Sequence, residues 1–217
     1  MIIYILISIF ALAIICSFGF MISVNALYKS KNRRGINFKN EFPFETVPSF
    51  KGEYAYLNIF LLLSLLATVS GFILYMVNNI NVIPIVLVIV IVIYSFCVIS
   101  IPFIPLNRLK EHLYLSLGII ITDFVVSAFL TYLSYTVAKR FEFLKVAPIV
   151  AIVISGLLVI KSLIFIFNPK LFDLKYERND QGELIRPKVV KLAFYQWIAI
   201  TCSPLYLIAI ILLTINL

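Results

Sequence analysis

Six runs of about 20 apolar residues constrain this chain more than any other feature, because each is long enough to cross a bilayer as a helix. They cover residues 3–26, 56–77, 83–104, 115–137, 146–167 and 193–215. In hydrocarbon the backbone must satisfy its own hydrogen bonds, which restricts spanning structures to helices and closed barrels. Strand-like alternation is absent, and the runs are about twice the length of a barrel strand. The expected fold is all-α: one domain over residues 1–217, a polytopic membrane bundle of six transmembrane helices. A composition of 63% hydrophobic and 13% charged residues agrees with that class.

The first run differs from a cleaved leader, since no basic residue precedes it and it exceeds the usual apolar stretch of about 7 to 15 residues. It reads as a retained helix. Lys and Arg then set the orientation. The first, third and fifth connections together hold fourteen and the second and fourth hold three, so the odd connections face the cytoplasm and both termini face outside. The aromatic belts expected from this are Tyr4, Tyr75, Tyr132 and Tyr135 at the outer boundary and Tyr54, Tyr114, Tyr195 and Trp197 at the inner one. A formal charge of +8 is then a topology signal and an attraction to anionic lipid, with no need for nucleic acid as a partner.

Two connections are large enough for further work. Residues 28–55 combine a basic cluster, including Arg33 and Arg34, with Phe38, Phe42, Phe44 and Phe50 and with Pro43 and Pro48. Such a segment suits the headgroup region or the surface of a protein partner in the membrane or cytoplasm. Arg33, Arg34, Phe42 and Phe44 are its candidate contacts. Residues 168–192 carry turn chemistry at "NDQG", flanked by sequences suited to a short hairpin. Pro187 suits the first turn of a helix leading into the sixth run.

Catalytic motifs fail on residue supply. His112 is the sole histidine, so no HExxH zinc site can form, and Cys16, Cys97 and Cys202 lie in three different runs without CxxC spacing. No phosphate-binding glycine loop or GxSxG elbow occurs. The chain is not expected to be an enzyme, and neither a metal nor a cofactor is expected.

What remains is polar chemistry within the runs. Asp123 and Lys161 are the two charged residues well inside them, each costing about 2.5 to 3.5 kcal/mol near a helix centre unless paired, hydrated or snorkelling. Asp123 lies about 12 Å and Lys161 about 9 Å from the same side of the membrane, on consecutive antiparallel helices, so their heads reach similar depth. Rotation leaves two outcomes open for Lys161: pairing with Asp123, or snorkelling from a lipid-facing position. Asp123 cannot snorkel and must meet protein, water or a proton. It shares a helix face with Ser116, Ser127, Thr131 and Ser134, a polar stripe through the fourth run. In the sixth run Pro204 follows Thr201, Cys202 and Ser203, which can replace backbone bonds that the proline frees.

Asp123, Ser127, Thr131, Lys161, Thr201 and Ser203 are therefore the candidates for a solute or proton path. The expected function is a transport component in the cell membrane, a small permease or pore for a small ion, proton-coupled solute or amphipathic molecule. The alternative is a non-transporting membrane partner, such as an accessory subunit or a protein giving immunity to a membrane-active peptide or toxin. Inverted or tandem repeats, the usual mark of a transporter, are not evident.

Overall fold

The computed structural model describes residues 2–42, 62–64, 66–68, 70, 85–100, 109–168, 170–172, 177–178, 184–185 and 188–215. The elements with defined bounds are α1 (Ile2–Asn32), α2 (Ile85–Ser100), α3 (Leu109–Arg140), α4 (Val146–Ile166), the two-residue strands β1 (Glu177–Arg178) and β2 (Leu184–Ile185), and α5 (Lys191–Thr214). Apart from the antiparallel β1–β2 pair the described protein is helical. Four of its helices, α1, α3, α4 and α5, are long and apolar enough to cross a membrane, which marks the chain as membrane-embedded. Helix α2 is also apolar but has 16 residues, about 24 Å. Most of the run expected at 56–77 lies outside the described residues, as do Phe44, Tyr54 and Tyr75; within it, 62–64 and 66–68 are helical.

Helix α3 packs against α2, α4 and α5, while α1 packs against α5. The long helices extend past their apolar runs: α1 has 31 residues and α3 has 32, against about 20 needed to span. The antiparallel turn between α3 and α4 occupies residues 141–145. It closes by a Schellman pair of bonds, Phe143 N–H to the Ala138 carbonyl at 2.9 Å and Glu142 N–H to the Lys139 carbonyl at 3.0 Å. Glu142 and Phe143 both take left-handed backbone angles, φ 51° and 60°, where glycine is usual. Pro148 stands in the first turn of α4, where its missing N–H would have lacked a helical partner anyway.

Helix α4 shows how the sequence divides its faces. Pro148, Ala151, Ser155, Leu158 and Ser162 recur at steps of three and four and are buried. Val153, Leu157, Ile160 and Ile164 recur the same way and are exposed. The small buried residues let α4 approach α3 closely, as membrane helices do.

At one end of the bundle, here the Glu41 end, the chain leaving α1 folds back beneath α5. Val190 N–H donates to the Lys39 carbonyl at 2.8 Å, and the Trp197 indole donates to the Glu41 carbonyl at 2.7 Å. The Glu41 carboxylate receives the Tyr28 hydroxyl (2.7 Å), the Asn37 N–H (2.8 Å) and the Arg34 guanidinium (2.5 Å). Burial raises the Glu41 pKa, but the bonds from Tyr28, Asn37 and Arg34 together outweigh it and hold the carboxyl below its ordinary value.

The aromatic belts divide on inspection. Tyr4, Tyr114, Tyr132 and Tyr135 are exposed, as residues at a membrane boundary would be. Tyr195 and Trp197 are buried instead, because the returning segment and α4 cover the start of α5.

Candidate functional site

Asp123 is completely buried near the middle of α3, and protein groups occupy both of its carboxylate oxygens. The Lys161 ammonium, from α4, lies 3.0 Å from Oδ1 and 2.9 Å from Oδ2. The Ser162 hydroxyl, next in sequence, donates to Oδ2 at 2.7 Å. From α5 the Tyr206 hydroxyl donates to Oδ1. One carboxylate thus joins three helices through two oxygens.

The pairing settles the alternative left open for Lys161. Its side chain retains 12% exposure and leans over the Tyr206 ring, with Nζ 5.5 Å from the centroid. Lys161 sits beside the buried face of α4, and its four-carbon stem carries the ammonium around to the carboxylate. Ser162 lies on that face itself, so backbone position aims it directly at Asp123.

Beyond the directly bonded groups lies a wider polar neighbourhood. Tyr94 on α2 and Tyr195 and Cys202 on α5 are within electrostatic reach of Asp123. The Tyr94 ring meets the Tyr206 ring edge-on at 6.4 Å, and the Tyr195 ring meets Phe165 at 4.4 Å. The Tyr94 hydroxyl is buried without a hydrogen-bond partner among the described residues, and the buried Tyr195 hydroxyl approaches Asp123 without reaching ordinary hydrogen-bond geometry.

The stripe on α3 behaves differently from a lined path. Ser127 donates to the carbonyls of Asp123 and Phe124, Thr131 to that of Ser127, and Ser134 to that of Leu130. These hydroxyls bond back to their own helix, the usual resort of Ser and Thr in an apolar setting. Leu130, Leu133 and Val137 from α3, Leu158 from α4, and Leu207, Ile210 and Leu213 from α5 form the hydrocarbon around them. Toward the Glu41 end a second polar contact appears: Gln196 Nε2 donates to the Ser116 hydroxyl at 2.8 Å, and Ser116 to the His112 carbonyl at 2.7 Å.

Among the other sequence candidates, Thr201 is exposed and bonded to the Trp197 carbonyl at 2.7 Å, away from Asp123. The side chain of Ser203 lies outside the described residues. Arg33 is exposed with φ 53°, and Arg34 is held by Glu41. Phe42 is 2% exposed and packed with Leu171 and Tyr195 in the interior, so it presents no contact surface.

Tyr206, Tyr195 and Tyr94 were not among the sequence candidates, yet a signal for two of them existed. Tyr195, Cys202 and Tyr206 are spaced by seven and four residues, the same steps that join Ser116, Asp123 and Ser127 on α3. Two polar faces with matching steps on separate helices suit one another. Compared with protein-family models, curated proteins and solved structures, the chain matches none.

Proposed function

We propose that the chain is a multi-pass protein of the cell membrane with six spans and external termini, acting as a transport component for a small ion, proton-coupled solute or amphipathic molecule. Its working part is the Asp123–Lys161 pair. One observation carries this reading: a carboxylate with no exposure at all, held by a lysine at 2.9 Å where three helices meet. A buried ion pair contributes little net stability beside well-packed apolar residues, because desolvating two charges offsets their attraction. Charges kept at such depth in membrane proteins mark ion and proton routes more often than scaffolding. In the described arrangement the pair ties α3 to α4 and α5, so protonating Asp123, or presenting it with another cation, would free Lys161 and loosen all three contacts together.

Reconstituted vesicles test the proposal. Flux of protons or of a small cation above protein-free vesicles is expected, falling at least tenfold in Asp123→Asn. Flux that is present and unchanged in Asp123→Asn would remove the carboxylate from the route.

A second reading has its own support. Lys161, Ser162 and Tyr206 all bond to the Asp123 carboxylate, and the α3 hydroxyls on its other side bond to their own backbone. A polar seam of this kind suits a rigid membrane partner that binds another protein or a membrane-active peptide in the bilayer, with the basic segments resting on anionic lipid. Gentle extraction followed by copurification separates the readings: a stoichiometric companion favours the partner role, and a chain that emerges alone counts against it.

A further inference from the structure

Three buried polar atoms lack a partner among the described residues on one side of the ion pair, the hydroxyls of Tyr94 and Ser95 on α2 and Oε1 of Gln196 on α5, and the buried Tyr195 hydroxyl on α5 approaches Asp123 without ordinary hydrogen-bond geometry. All four side chains are at least nine-tenths buried, with exposures of 8%, 4%, 0% and 2%. A buried polar group without a partner costs about 1 to 3 kcal/mol, so these atoms on α2 and α5 call for something that bonds to them. Tyr94 and Tyr195 belong to the same packed cluster as Ile119 and Ile120, on the Glu41 side of Asp123. Gln196 continues the polar groups farther that way, through Ser116 to the His112 carbonyl near the start of α3.

The other side of Asp123 is built differently. Its hydroxyls are satisfied by their own helix, and the groups around them are leucine, isoleucine and valine. Unpartnered polar atoms therefore lie on one side of the pair, while on the other the α3 hydroxyls already donate to their own helix within an apolar cluster.

We infer that the α2–α5 face beside Asp123 is a hydrated recess, a binding site for a short file of water molecules that connects the ion pair to the Glu41 end of the bundle and to that end alone. Water fits the site because it can donate to Gln196 Oε1 and both accept from and donate to the three hydroxyls, and buried water characteristically makes two to four such bonds. The groups that Asp123 faces are Lys161 and Ser162 from α4, Tyr206, Tyr195 and Cys202 from α5, and Tyr94 from α2. A proton reaching or leaving the carboxylate passes along the water at Tyr94 and Tyr195, because hydrocarbon closes the opposite side. The inference extends the transport reading without depending on it: one-sided access is possible in a protein that moves nothing.

Two measurements test it, and neither reads flux. In a background with Cys16, Cys97 and Cys202 replaced by alanine, Tyr195→Cys and Gln196→Cys are treated in sealed, oriented vesicles with a charged, membrane-impermeant thiol reagent. Both are expected to react from the Glu41 side at least tenfold faster than Leu207→Cys, and from the other side not at all. Reaction from the opposite side overturns the inference, as does no reaction from either side while exposed Tyr114→Cys reacts. The unaltered protein gives the second measurement, an experimental density map fine enough to resolve ordered water. Water within hydrogen-bond distance of the Tyr94 and Tyr195 hydroxyls is expected; hydroxyls bonded only to protein would overturn the proposal even if the variants fail to fold.

Discussion

Asp123 converts a local composition anomaly into a three-helix junction, and its energetics follow from what each partner loses when the other is removed. Asp123→Ala leaves the Lys161 ammonium buried and unpaired, so unfolding in detergent is expected to become easier by about 3 to 5 kcal/mol. Replacing both residues, Asp123→Leu with Lys161→Met, is expected to recover most of that loss, and a double-mutant cycle on denaturation midpoints reads the coupling. Glu41 supplies a second prediction, with a definite sign. Its folded pKa lies below the ordinary glutamate value of about 4.3, so its bonds contribute fully above that value and the contribution is lost as pH falls through the lowered folded value. Trp197 is the sole tryptophan and donates to the Glu41 carbonyl, so its fluorescence reports the event. An acid transition is expected in the native protein and is expected to vanish in Glu41→Gln. Depth along the helices made the Asp123–Lys161 pair visible in sequence, because helical rise is fixed. Rotation did not decide it, since a lysine stem spans a large arc and the identity of its neighbours depends on packing. Glu41 carried no signal at all: its partners come from a chain reversal that only the folded backbone creates.

Between elements, α2 and α3 approach closely at Gly118. A Cβ built on Gly118 would stand 2.9 Å from the Cys97 sulfur, tighter than any ordinary contact. Gly118→Ala is therefore expected to destabilise the protein by about 1 to 3 kcal/mol, the usual range for overpacking. Combining it with Cys97→Ala is expected to restore stability, and thermal unfolding in detergent compares the pair. The long helices themselves were legible, because runs of apolar residues admit few other structures in lipid. Their ends were not. Helix α1 continues into Lys29 and Lys31, and α3 continues to Lys139 and Arg140, since charged residues in water extend a helix without needing an apolar face. The left-handed turn at Glu142 and Phe143 was equally hidden, for neither residue is one that announces such a conformation. Tyr195 and Trp197 look like boundary aromatics by position alone, and tertiary cover from α4 and from the segment after α1 is what makes them interior.

For the molecule as a whole, the asymmetry of basic residues predicts which ends face which compartment. An impermeant amine reagent applied to intact cells is expected to modify Lys139 and Lys145, both exposed at the α3–α4 turn, and to leave Lys29, Lys31 and Lys170 unmodified until the membrane is opened. Mass spectrometry of the peptides reads the outcome, and the reverse pattern would invert the proposed orientation. The all-helical, membrane-embedded character was accessible from sequence because hydrocarbon imposes it. The function was not, because the buried carboxylate meets its partners only where three helices pack together, and no motif in the chain names a solute or a partner protein. One feature of that assembly bears on how the protein is made. Both charges belong to α3 and α4, joined by the five residues 141–145, whereas Tyr206 arrives with the last helix. A ribosome feeding this chain to the insertion machinery can therefore deliver Asp123 and Lys161 as a hairpin whose two membrane-depth charges already offset one another, before α5 has been synthesised.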